Sequence, residues 1–63
     1  MNIGENIRTI RENKNMTQTQ LAEKVGTTQS QIGKYERNEQ DMTVLRLVEI
    51  ANWLGVGIVD IVK

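Results

Sequence analysis

An all-α chain of five short helices is the fold class this sequence predicts, on three observations. Helix-start signals recur along it: Thr17 with Gln20 and Thr28 with Gln31 both have the S/T-x-x-Q spacing in which a hydroxyl takes a free amide and the amide side chain returns the bond. Apolar residues recur at steps of three and four in every segment between those signals. Helix-stop residues fall where the stripes end, namely Gly26, Asn38 and Gly55.

The first helix starts after Asn2, a good N-cap with Glu5 three residues on, and runs from Ile3 to about Lys14 with Ile3, Ile7 and Ile10 on one side. Asn13, Lys14 and Asn15 break it. Met16, just before the Thr17 cap, is placed to act as a hydrophobic staple. The central stretch from Thr17 to Arg37 reads as two short helices and a tight corner. Its start signals lie eleven residues apart with Gly26 between them, which leaves room for roughly two helical turns. Leu21, Ala22 and Val25 form the inward face of the first of these helices, and Ala22 is small where a partner helix would cross. Ile32 and Tyr35 form the inward stripe of the second. Ser30, Lys34 and Arg37 point the other way, flanked by Gln29, Gln31 and Gly33. This is a helix-turn-helix pattern.

The segment from Asn38 to Met42 has no periodicity and is the longest loop, with Asn38 a candidate left-handed residue. Thr43 caps a fourth helix whose expected core stripe is Val44, Leu47, Val48, Ala51 and Leu54, widened by Ile50. Gly57 caps a short fifth helix in which Ile58, Ile61 and Val62 close the core. Leu45, Trp53 and Val59 are then left over, apolar and outward. Two charges fall on inward faces instead: Arg11 at the edge of the first stripe and Glu36 beside Ile32. Their placement predicts a partly buried ion pair, the plain alternative being that both side chains reach out to solvent.

The pattern resembles the Cro/C1-type (XRE) helix-turn-helix family of phage repressors and bacterial regulators. Gln18, Ala22, Gly26 and Ile32 fall at that family's signature spacing, Q-x3-A-x3-G-x5-[IV], and the run AEKVGTTQSQIGKYE is similar to the lambdoid phage repressors. The resemblance extends from Ile7 to Val62. It implies a compact five-helix DNA-binding domain, an operator-binding function, an Arg11–Glu36 contact, and a bacterial or phage origin. In the family the loop after the second motif helix often carries basic residues that touch phosphate. Here it carries Glu39 and Asp41, a departure from that pattern.

Composition narrows the chemistry. Sixty-three residues, 38% of them hydrophobic, make one small domain whose stability margin is on the order of 3–5 kcal/mol. There is no cysteine and no histidine, so thiolate zinc sites and Ser-His or Cys-His nucleophile pairs are excluded. The expectation is a protein that is not an enzyme, takes no cofactor, metal or small-molecule substrate, and is cytoplasmic, since no apolar run approaches a membrane span and the N-terminus has no signal-peptide pattern. Eight basic residues balance eight acidic ones. Any affinity for DNA phosphate must therefore come from the distribution of charge rather than its sum.

Within the helix-turn-helix reading, the expected DNA-contacting residues are Gln18, Thr27, Thr28, Gln29, Ser30, Lys34 and Arg37. Gln29, Ser30 and Lys34 offer an amide, a hydroxyl and an ammonium to base edges, with Arg37 nearer the phosphates. Gln18 opens the first motif helix, where free amides receive phosphate, and can also brace Gln29. Thr27 and Thr28 can reach phosphate, with capping the first duty of Thr28. The partner expected is double-stranded operator DNA in an inverted repeat, bound by a weak homodimer formed through Leu45, Trp53 and Val59. A reading of a different class is a helical protein-interaction module, such as an antitoxin, which zero net charge and the acidic loop favour.

Overall fold

The computed structural model describes residues 2–63. Five helices follow one another in the order α1 (Ile3–Asn13), α2 (Gln18–Val25), α3 (Gln29–Glu36), α4 (Val44–Leu54) and α5 (Ile58–Val62), and the described residues contain no strand. All five contribute to one core of Ile7, Leu21, Ala22, Ile32, Tyr35, Ile50, Ala51, Leu54 and Ile61. Ile3, Ile10, Met16, Val25, Met42, Leu47, Val56 and Ile58 pack around it.

The helix ends explain why the chain divides where it does. Thr17 and Gln20 form a complete capping box, with the Gln20 amide donating to Thr17 Oγ1 at 3.0 Å and the Thr17 amide donating to Gln20 Oε1 at 2.9 Å. At Thr28 only half of the expected box is present. The Gln31 amide donates to Thr28 Oγ1 at 3.1 Å, but no return bond from Gln31 is made. Thr43 caps α4 through the Arg46 amide in the same one-sided way. Gly57 has no side chain to cap with, so α5 is held at its start by Asp60, whose carboxylate accepts from the Gly57 amide at 3.0 Å. Gly26 and Gly55 end α2 and α4 in the left-handed conformation at φ 87° and 71°. Asn38 does the same after α3 at φ 58°.

Two sequence expectations need correction. Val44, expected in the core stripe of α4, is 75% exposed. It is the first residue of the helix, and Met42 from the preceding loop packs against the core at that end, so the buried face runs through Leu47, Ile50, Ala51 and Leu54. Ile50, read as a widening of the stripe, is fully buried. Gly33, expected to flank the outward face of α3, is buried, covered by the side chains of Arg37 and Gln18.

The angle between α1 and α3 is set by a close approach at Gly4. A Cβ there would lie 2.6 Å from the Glu36 carbonyl oxygen and would also strike that of Tyr35. The Gly4 amide donates to Asn38 Oδ1 at 3.1 Å, and Asn38 Nδ2 donates to Asn2 Oδ1 at 2.7 Å, so the end of α3 is clasped to the start of α1. At the other side of α1, Asn6 Nδ2 donates to the Ile61 carbonyl at 2.7 Å and ties in α5.

Candidate nucleic-acid interface

α3 is presented by α2 and α1 together, and the side chains that join them form one continuous relay. Arg11 and Glu36 are 8% and 6% exposed. The Arg11 fork meets the Glu36 carboxylate at both oxygens, Nε to Oε2 at 2.6 Å and Nη2 to Oε1 at 3.1 Å, while its Nη1 donates to the Met16 carbonyl at 2.7 Å. A buried carboxylate in this position has its charge and lone pairs satisfied, which is the condition for keeping it buried. Glu36 Oε1 accepts a further bond from Gln18 Nε2 at 2.9 Å, and Gln18 Oε1 accepts from Gln29 Nε2. The first residue of α3 is thus oriented by a glutamine whose own orientation is fixed by an ion pair in the core. With Gln18 bonded at both ends of its amide, its oxygen faces Gln29 and its nitrogen faces Glu36.

Beyond Gln29 the outward surface of α3 carries Ser30 and Lys34, both exposed, with Gln31 half-buried at the side. Thr28 is engaged as the cap of α3, whereas Thr27, half-buried in the corner between the helices, uses its backbone amide on the Ala22 carbonyl at 2.9 Å. Arg37 ends the helix. It lies back along α3, so that its Nη1 would be 3.0 Å from a Cβ at Gly33, and its Nε pairs with Glu39 at 3.1 Å. Gln18 and Arg37 therefore converge over Gly33, and Gln29 is bonded to Gln18. The depression beside this surface, lined by Arg11, Thr17, Gln18, Thr19 and Gln29 among others, is open to solvent.

Two of these features are not legible in the sequence. The Gln18–Glu36 bond joins residues whose separation has no local meaning. The Arg37–Glu39 pair spans two positions, a spacing at which side chains on a helix do not meet. Gly33 did leave a signal, since a glycine in a helix interior costs about 1 kcal/mol relative to alanine and so marks a close approach.

Leu45 and Val59 are both 70% exposed and Trp53 is 52% exposed, with Lys24 Nζ of α2 lying 5.2 Å from the centre of its ring. All three are carried by α4 and α5. Among the described residues no group of three or more His, Cys, Asp or Glu side chains could hold a metal ion, and no helix is long and apolar enough to cross a membrane.

Comparison with known proteins agrees with this geometry. The helix-turn-helix family profile matches residues 7–61. The immunity repressor protein of Bacillus phage phi105 is 34% identical over 98% of this chain, which spans 43% of that protein's length. Among solved structures, the biofilm master regulator SinR, crystallised in complex with DNA, has a TM-score of 0.89 at 29% identity, covering 97% of this chain and 98% of that one. The same fold also forms part of an enzyme: hydroxypropylphosphonic acid epoxidase of S. wedmorenis matches with a TM-score of 0.92 at 27% identity, covering 98% of this chain but 33% of the epoxidase. Fold alone thus does not separate regulators from enzymes that carry such a module, but five helices, the signature spacing and the profile match together make this chain a member of the Cro/C1-type helix-turn-helix family.

Proposed function

We propose that this chain is a sequence-specific DNA-binding transcriptional regulator, which lays α3 in the major groove and binds an inverted repeat as a two-fold dimer. The observation that carries the reading is the relay from Arg11 through Glu36 and Gln18 to Gln29. A side chain that only solvates a helix face does not need a braced orientation, whereas one that reads a base edge does, because an amide must offer its donor and acceptor in the right order. Gln29 then faces adenine, Lys34 faces guanine, Ser30 takes either, and Gln18, Thr27, Thr28 and Arg37 lie against the sugar-phosphate strand. Similarity to a phage immunity repressor and to SinR, crystallised in complex with DNA, supports the DNA-binding part of this reading.

In this reading the 63 residues form one helix-turn-helix unit acting in the cytoplasm, with DNA and a second copy as partners, no cofactor and no catalysis. The test is selection of bound sites from a random duplex library, followed by Gln29→Ala and Lys34→Ala. Each substitution is expected to weaken the best site by about 1–3 kcal/mol and to relax one position of the selected sequence, leaving the fold intact. Substitutions that leave base preference unchanged would show that α3 is not the reading helix.

A second reading, a helical protein-interaction module with weak DNA binding, is favoured by the zero net charge of the chain. Absence of any mobility shift with random or selected DNA at low salt is the result that would favour it.

A further inference from the structure

Each of the four arginines is paired with a glutamate: Arg8 with Glu12, Arg11 with Glu36, Arg37 with Glu39 and Arg46 with Glu49. Three pairs follow from the fold, one by burial and two as helical neighbours three or four residues apart. Arg37–Glu39 follows from neither. Its partners are two residues apart and more than half exposed, 56% and 55%. They meet because Asn38 between them is left-handed and because the Glu39 amide turns back to the Lys34 carbonyl at 2.9 Å. The turn sets a carboxylate against the Nε edge of Arg37 while the Nη1 edge lies over Gly33 beside Gln18 Oε1. Arg37 is held at its Nε edge by Glu39 and rests over Gly33, along the surface assigned to DNA.

A carboxylate and a phosphate present the same partner to a guanidinium fork, two anionic oxygens at hydrogen-bond distance. We infer that Glu39 is a tethered stand-in for a DNA phosphate on Arg37, and that it limits how tightly the chain holds DNA of any sequence. The inference rests on the DNA-binding reading above. Lys34 and Arg37 are the cations that α3 and its cap bring to that surface. Sequence-independent affinity comes from such cations neutralising phosphates and releasing counterions. A phosphate that takes Arg37 must displace Glu39, which then stands as an unpaired anion beside the strand. The loss applies equally to every DNA sequence, because Glu39 leaves the base-facing groups of Gln29, Ser30 and Lys34 untouched. DNA that supplies base contacts is then retained, and DNA that supplies only phosphates falls away.

The experiment uses the full chain and two duplexes, the selected site and a random sequence, titrated across a range of salt. Glu39→Gln keeps the shape and removes the charge. It is expected to raise affinity for both duplexes by the same factor, about two- to fivefold, the scale of an exposed ion pair. The salt slope is expected to steepen by about one, as for one added phosphate contact. In an Arg37→Ala background the gain should vanish, and Asp41→Asn, which removes a charge of the same loop that holds no arginine, should give less than Glu39→Gln. The pair is exposed, so urea unfolding of Glu39→Gln should match that of the parent chain. No gain, an equal gain without Arg37, or a gain confined to the selected site overturns the inference. A parent chain that binds the selected site while Glu39→Gln changes nothing overturns this inference alone, whereas a parent chain that binds no DNA at any salt overturns the DNA-binding reading with it.

Discussion

Arg11 and Glu36 connect the core to the surface of α3, because the buried pair also fixes Gln18, which bonds Gln29. Removing either partner leaves a charge stranded among apolar groups, a loss of about 3–5 kcal/mol, against under about 1 kcal/mol for an exposed pair. In a chain with a margin of the same size, either single substitution should leave it largely unfolded at room temperature. Replacing both with leucine and methionine should cost far less than the sum, so circular dichroism should find the double variant folded where each single variant is not. A double variant that is unfolded as well would mean that the losses add and the two side chains are not coupled. Gly33 gives the opposite case. Gly33→Ala gains about 1 kcal/mol of helix propensity, and the Cβ crowds only the far end of Arg37, which is half exposed and can swing into solvent, while Gln18 Oε1 at 3.6 Å stays at ordinary contact distance. The thermal midpoint should therefore rise while affinity for DNA falls, since Arg37 loses its seat. A variant that gains stability with unchanged DNA binding would mean that the position of Arg37 over Gly33 has no part in recognition.

At the scale of the helices, what was legible in the sequence was whatever depends on local spacing. The caps at Asn2, Thr17, Thr28 and Thr43, the left-handed stops at Gly26, Asn38 and Gly55, and the inward stripes of α1 to α3 are all set by residues within a turn of one another. The meeting of Arg11 with Glu36 was inferable because two charges on inward faces need a partner. Contacts that depend on how helices cross were not inferable. Val44 fits its stripe by angle and is exposed because it starts its helix where Met42 already packs. Gly4 gave no cue, since a glycine one position inside an N-terminus has no local meaning, yet it sets the crossing of α1 over the end of α3. Gly4→Ala is expected to be strongly destabilising despite the higher helix propensity of alanine. Its methyl would press on the backbone carbonyls of Tyr35 and Glu36, which cannot move as a side-chain tip can. A loss of at least about 1–3 kcal/mol, the range for overpacking, is expected in urea unfolding. A neutral outcome would mean that α1 and α3 separate freely, and the clasp between Asn38 and Asn2 would then carry little.

The whole molecule leaves Val44, Leu45, Trp53 and Val59 in solvent on its two C-terminal helices, a large apolar residue surface for a chain with 3990 Å² of accessible area. If α4 and α5 of two copies pack about a two-fold axis, both α3 helices can face one side and enter successive major grooves about 34 Å apart. A standard interface buries about 800 Å² per partner, a fifth of this chain's surface, which these few side chains cannot fill. The dimer should therefore be weak in solution and complete only on DNA, where two half-sites bring the copies together. Lys24 lies over the Trp53 ring, a contact worth about 0.5–1 kcal/mol at an exposed site, and it would edge any interface formed there. Val59→Asp tests the arrangement, because Val59 projects from a short helix without belonging to the core, so a charge there should leave folding untouched. Circular dichroism should stay helical while the footprint on the selected site shrinks from two half-sites to one or vanishes. Trp53→Ala should act in the same direction with a quenched rather than abolished association, since it removes area without adding a charge. Cooperative occupancy of both half-sites by the Val59→Asp variant, at the concentration the parent needs, would exclude this surface as the dimer contact.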